Sequence, residues 1–104
     1  INQKLDDTSG DQTQTAAQGY NGLAVCDMAE GNYDSALENI SSGISIASDD
    51  EMQSLLFNEI VAYEKKLDFS TAQEKAVSYV GMYPEDEEAA KELDFLKSRT
   101  GSNE

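Results

Sequence analysis

The turn Gly31-Asn32-Tyr33-Asp34-Ser35-Ala36 returns thirty-six residues later as Leu67-Asp68-Phe69-Ser70-Thr71-Ala72. That recurrence constrains the fold more than any other feature of the chain. Each copy passes from a turn residue through a polar cap to an aromatic ring, Tyr33 or Phe69, with a small alanine three residues beyond it. On a helix, residues three apart share a face, so each copy sets a ring beside a gap where a neighbouring helix can approach. A self-similar unit of this length predicts an all-α, stacked helical array.

Periodicity places five helices. The first starts near Thr13 or Thr15 and ends at Glu30, with Gly31 as a left-handed stop and an apolar stripe of Ala16, Tyr20, Leu23, Ala24 and Met28. Gly22 within it lowers helix propensity by about 1 kcal/mol, a cost usually accepted where another backbone comes close. Asn32 caps a second helix reaching about Ala47, with Tyr33, Ala36, Leu37, Ile40 and Ile44 inward. Such a tight connection makes the pair antiparallel. Ser48 and Glu51 form a capping box for a third helix carrying Met52, Leu55, Leu56, Ile60, Tyr63 and Leu67. Asp68 caps a fourth, with Phe69, Ala72, Ala76, Tyr79 and Val80, closed by Gly81 and Pro84. The fifth opens at or just after Pro84, where proline and the run Glu85-Asp86-Glu87-Glu88 suit a helix start. Ala89, Ala90, Leu93 and Leu96, with Phe95 at the edge, cover one side of it, while Glu88, Lys91, Glu92 and Asp94 face water, as a terminal cap requires. Residues 15–99 thus form the folded part. Residues 1–14 read as a polar linker or, through Ile1 and Leu5, as the end of a preceding repeat, and residues 100–104 as a polar tail.

The charge sets limits on partners. A net charge of −14 argues against nucleic acid, whose phosphates need clustered Lys and Arg, and against anionic membrane surfaces. No basic residue occurs between Leu5 and Glu64, and all but one of the seven lie at Lys65 or beyond. No apolar run is long enough to span a bilayer. The single Cys26, lying within a helix, reads as a small buried side chain and leaves the redox compartment open. The chain begins with Ile, which reads as a processed piece of a longer protein.

Residues 17 to about 99 resemble the tetratricopeptide repeat family. The residues that carry the resemblance are Tyr20, Leu23, Ala24, the Gly31-Asn32-Tyr33 turn, Ala36, Ile40 and Gly43 in the first unit. In the second they are Tyr63, the Asp68-Phe69 turn, Ala72 and Pro84 with its acidic sequel. The Lys66-Leu67-Asp68-Phe69-Ser70-Thr71-Ala72 stretch is also similar to bacterial repeat proteins of the cell envelope, lipoproteins among them, which inclines the location toward the extracytoplasmic side. The chain departs from the family pattern in a first unit two residues longer than the period of about 34. It also has Asp27 where an aromatic is common, Ser48 where a closing proline stands, and Tyr79 where a small residue is usual. The resemblance implies a right-handed superhelix of two helix pairs and a C-terminal capping helix, with further repeats upstream in a longer parent chain.

For enzyme chemistry the sequence offers little. Without His, neither a Ser-His nor a Cys-His arrangement can be assembled, so the expectation is a non-catalytic protein needing no cofactor. Asp49-Asp50-Glu51 and Glu85-Asp86-Glu87-Glu88 have oxygen ligands suited to calcium but lack the alternating spacing and central Gly of a calcium loop, so no metal site is expected. What the resemblance implies instead is protein or peptide binding on a concave surface lined by the leading helices. Carried over residue by residue, that surface takes Gln18, Asn21, Val25, Met28 and Ala29 from the first unit and Ser54, Phe57, Asn58, Val61, Glu64 and Lys65 from the second. Phe57 reads as packing rather than as a recognition anchor. The acidic balance points to a basic peptide or protein partner passing near Asp27, Glu30 and Glu64, with solubility as the competing explanation of the charge. Two other readings stand beside it: a structural extension of a longer solenoid, and an acidic calcium-binding domain.

Overall fold

A computed structural model gives the chain as five α-helices: α1 (Asn2–Ala29), α2 (Tyr33–Ile44), α3 (Asp49–Lys65), α4 (Phe69–Met82) and α5 (Glu87–Thr100). It describes residues 2–101, and the side chains of residues 15–101. Among the described residues there is no strand. The helices fall into two compact units, Ile1–Leu55 and Leu56–Glu104, the boundary lying within α3.

In the first unit α1 doubles back into α2. Ala17 and Ala24 of α1, Ala36, Ile40 and Gly43 of α2, and Leu55 of α3 are fully or almost fully buried. Small side chains dominate this list, which lets helix backbones approach at the short end of the usual interaxial range of roughly 8–10 Å. Gly43 is the tightest point. A Cβ built there would lie 2.9 Å from Leu55 Cδ2 and 3.2 Å from Tyr20 Cβ. In the second unit Ile60, Ala72, Ala76, Tyr79, Ala89 and Leu96 form one buried cluster, with Leu56, Phe57, Tyr63, Phe69, Val80, Tyr83 and Leu93 packed around it. Tyr79 is its largest buried side chain, set among the alanines Ala72, Ala76 and Ala89 and against the Phe57 and Tyr83 rings.

The repeated sequence turn is a repeated structure. At the end of α1 the Gly31 N–H donates to the Met28 carbonyl (3.1 Å) and the Asn32 N–H to the Asp27 carbonyl (2.8 Å), with Gly31 at φ +83°. At the end of α3 the Leu67 N–H donates to the Glu64 carbonyl (2.8 Å) and the Asp68 N–H to the Tyr63 carbonyl (2.9 Å), with Leu67 at φ +68°. Both are the Schellman motif, which satisfies carbonyls a helix end would otherwise leave orphaned. The next helix then starts alike in each, Ala36 N–H donating to the Asn32 carbonyl and Ala72 N–H to the Asp68 carbonyl. Asp68 also caps with its side chain, accepting from the Thr71 N–H at 3.3 Å. Asn32 does not, its amide turning instead to Glu30 Oε1.

Several expectations are corrected. Helix α1 starts at Asn2, far before Thr13. Its start was expected where the apolar stripe begins, but backbone hydrogen bonding requires no stripe, and no proline interrupts residues 2–29. The buried face of α1 is centred on Ala17 and Ala24, while Ala16 and Leu23 are exposed. Cys26 is exposed as well, not buried. Leu67 is exposed because the chain leaves the helix at Lys65, before that residue can join the stripe. Ala62, missed by the sequence reading, is fully buried. α2 ends at Ile44 rather than near Ala47. Pro84 belongs to a turn, and α5 is capped two residues later by Asp86, whose carboxylate accepts from the Ala89 N–H at 3.1 Å. On α5 Ala90 is exposed and Glu92 half-buried, the reverse of what its stripe suggested. Thr100 ends α5 and Gly101, at φ +79°, is its left-handed cap. The readings of Ile1 and of residues 102–104 lie outside the described residues, as does the side chain of Leu5.

Candidate functional site

The residues assigned to a binding surface occupy one face of α1 and one face of α3, and each is placed by helical spacing within its own unit. On α1, Gln18, Val25 and Ala29 are exposed and Asn21 and Met28 half-buried. Asn21 is not idle there. Its side-chain amide donates at 2.8 Å to Ser54 Oγ and at 2.8 Å to Glu51 Oε2, both on the opening turns of α3. The structure therefore brings Asn21 and Ser54 together, and Glu51, expected in a capping box, reaches across to α1. Asp27 turns toward α2, where its Oδ2 accepts from Ser35 Oγ and from Asn39 Nδ2, both at 2.8 Å. It clamps α1 to α2. Glu30, exposed, has its Oε1 near the Asn32 amide at 3.3 Å.

In the second unit Phe57, Asn58, Val61 and Glu64 are half-buried and Lys65 is exposed. Phe57 meets Tyr79 edge-on, ring centroids 5.7 Å apart and planes at 66°. Its ring thus packs against the core. Tyr79 in turn lies 4.8 Å from the Tyr83 ring and donates its hydroxyl to Asp86 Oδ2 at 2.7 Å, so the aromatic core reaches the cap of α5.

Glu64 is the perturbed group of this face. Burial, and then the Glu92 carboxyl of α5 that hydrogen-bonds and faces it, push its pKa up to about 8, against a smaller lowering by Lys65. Its Oε2 is sealed from solvent without a hydrogen-bond partner. Like charges this close disfavour double ionisation, so the pair holds a proton near neutrality. Helical spacing carries no signal for Glu92 as the partner, because the pairing depends on the register of α5 against α3. Glu59, on another face of α3, is raised by burial and opposed by Lys75, 3.7 Å away.

The Glu64 proton has a measurable consequence. The folded chain keeps it between about pH 4.5 and pH 8, while the unfolded chain, with an ordinary carboxyl, loses it. At Glu64 the folded state binds more protons across that window, so this group's contribution to stability is fullest below pH 4.5 and is lost as pH rises toward 8. Allowing for solvent screening of a half-exposed side chain, the loss is about 1–2 kcal/mol. Thermal unfolding of the wild type and of Glu64→Gln at pH 5 and pH 8.5 measures it. The variant is expected to lose less stability than the wild type, and parallel profiles would show that Glu64 does not hold the proton.

Elsewhere in the second unit, Ser70, Gln73, Glu74 and Val77 of α4 with Thr100 of α5 line an open groove of about 490 Å³. The Thr100 hydroxyl bonds Gln73 Oε1 beneath it. None of these residues is among those the sequence assigned to a binding surface. Among the described residues no three of Cys, Asp and Glu converge where one metal ion could sit, and no helix is long and apolar enough to cross a membrane. No protein-family model matches the chain, and comparison with curated proteins and with solved structures finds no match.

Proposed function

We propose that the chain is a non-catalytic binding module for a protein or peptide, built as a short right-handed superhelix of two tetratricopeptide-like helix pairs with α5 as a cap. The observation that supports this most is the pair of Schellman turns thirty-six residues apart, with equivalent hydrogen bonds and equivalent alanines behind each aromatic ring. Repetition at this depth marks a repeat unit, and stacked repeats of paired helices present a concave surface, lined here by the leading helices, to partners. On this reading the α1 face is Gln18, Asn21, Val25, Met28 and Ala29. The α3 face is Ser54, Phe57, Asn58, Val61, Glu64 and Lys65.

The partner that fits is basic. From Leu5 to Glu64 the chain has carboxylates and no counter-cation, so long-range attraction would raise the encounter rate with a cationic segment. A set of lysine- and arginine-containing peptides titrated into isotope-labelled protein tests the reading by NMR. Shifts centred on Val25 and Met28 or on Val61 and Lys65, weakening as salt rises, support it. Shifts confined to α2 and α4, or none at all, would leave the module as a structural extension of a longer solenoid. Calorimetry with calcium tests the remaining reading, an acidic calcium-binding domain, for which heat of binding is required.

A further inference from the structure

At the α3–α4 turn the second unit carries a side chain that the first unit does without. Gly31 and Leu67 hold the same place in the two Schellman turns, at φ +83° and +68°. Glycine adopts that left-handed backbone freely, whereas any other residue is strained in it. Leu67 is the one non-glycine residue at positive φ among the described residues, and at 72% exposure it is also the most exposed of their large apolar side chains. The fold gains little from a leucine here, since its backbone is disfavoured and its side chain stays in water. Backbone strain of this kind gathers at positions that serve function.

The surroundings restrict what that function can be. Lys65 and Lys66, both exposed, directly precede Leu67. Two residues after it, the Phe69 ring lies under the Arg99 guanidinium of α5, 4.9 Å from the ring centroid, and the exposed Phe95 ring lies 6.0 Å from the same guanidinium. Stacking occupies the faces of a guanidinium and leaves its N–H edge, the part that grips a carboxylate through two parallel hydrogen bonds. Arg99 forms no ion pair among the described residues, in a chain that has 21 Asp and Glu. The carboxyls on either side of the turn are engaged within the unit, Glu64 with Glu92 and Asp68 with the Thr71 N–H. Asp94, which is exposed, lies about 100° around α5 from Phe95. We propose that this end of the second unit docks an acidic peptide segment of a partner protein, its carboxylates on Arg99 and the two lysines and an apolar side chain against Leu67 and Phe95. Charge complementarity selects that partner, because salt screens the rest of the −14 charge beyond about 8 Å and leaves close contact to the local cations.

The test titrates a synthetic peptide of glutamate and leucine into the isotope-labelled full chain, followed by NMR, with a glutamate–serine and a lysine–leucine peptide as controls. Shifts centred on Leu67, Phe69, Phe95 and Arg99 are expected with the first peptide, and binding roughly tenfold weaker or absent with each control. Leu67→Gly should weaken binding by roughly tenfold while the thermal unfolding midpoint stays level or rises, because glycine relieves the strained backbone. Arg99→Lys keeps the charge but loses the planar fork, and should weaken binding several-fold. Neither residue belongs to the α1 and α3 surface proposed above, so the outcome is independent of that reading. Equal binding by the wild type and Leu67→Gly overturns the proposal, and so does a lowered unfolding midpoint in that variant, which would make the leucine part of the fold. Shifts absent from these residues overturn it as well. So does binding of the chain to phosphatidylserine vesicles in place of the peptide, which would assign the patch to a lipid surface.

Discussion

Tyr79→Ala is expected to lower stability by about 3–5 kcal/mol, the range for removing a buried aromatic side chain and leaving a cavity. The size follows from where the ring sits. Tyr79 is 2% exposed, touches the Phe57 and Tyr83 rings, and is the largest fully buried side chain. Ala72, Ala76 and Ala89, in the same cluster, have little side chain to move into the space. Against a total of roughly 5–15 kcal/mol for a domain, such a loss removes a large share of the folded population's margin. Tyr79→Phe separates the hydroxyl from the ring. It keeps the packing and forfeits the 2.7 Å bond to Asp86, costing about 1–2 kcal/mol, because the acceptor is a carboxylate that still caps α5 through Ala89. Urea unfolding followed by circular dichroism gives both numbers, and an alanine variant within 1 kcal/mol of wild type would mean the cluster is not the core of this unit.

Gly43→Val is expected to destabilise the chain by about 2 kcal/mol, through overpacking. Any Cβ at residue 43 meets Leu55 Cδ2 at 2.9 Å, Leu55 Cδ1 at 3.0 Å and Tyr20 Cβ at 3.2 Å. The leucine methyls can swing aside, but Tyr20 Cβ is tied to the α1 backbone and moves only with the helix. Gly43→Ala tests the balance, since alanine regains about 1 kcal/mol of helix propensity that offsets a similar strain, leaving a change near zero. The double variant Gly43→Val with Leu55→Ala should recover part of the valine loss, a coupling that appears only if the two side chains compete for one space. Additive effects would place the strain elsewhere.

The parts of the fold readable from the sequence are those set by local chemistry. Gly31 stops a helix because only glycine takes φ +83° without penalty, and Asp68 caps because a short carboxylate reaches the Thr71 N–H. Ala36 and Ala72 were placed in the core by their three-residue distance from a ring, and both are fully buried. Less readable was the facing of α1. Between Ala16 and Cys26 the apolar residues Ala16, Ala17, Leu23, Ala24, Val25 and Cys26 fit several stripes, and a shift of one residue turns the helix by about 100°. Composition therefore favoured Leu23, the largest of them, whereas close helix approach selects Ala17 and Ala24 and leaves Leu23 outside. Proline misled for a similar reason: Pro84 is acceptable at a first helical position, but Asp86 provides a side-chain cap that proline lacks. For the candidate site, helical spacing identified which residues share a face. It had no means of showing that Asn21 is bonded to Ser54 and Glu51, that Asp27 serves α2, or that Glu92 stands opposite Glu64, since each is a contact between helices.

The two Schellman turns also bear on how the chain reaches its fold. Each closes a loop of only a few residues, and the conformational cost of bringing helix ends together grows with the length of what lies between them. α1 meets α2 across the first of these turns, and α4 meets α5 across the equally short turn that holds Pro84. Folds assembled from such short-range encounters reach the native state in about microseconds to milliseconds. A hairpin of this kind can form before the rest of the polypeptide has emerged from the ribosome, so the order in which the helices are synthesised is also an order in which they can assemble.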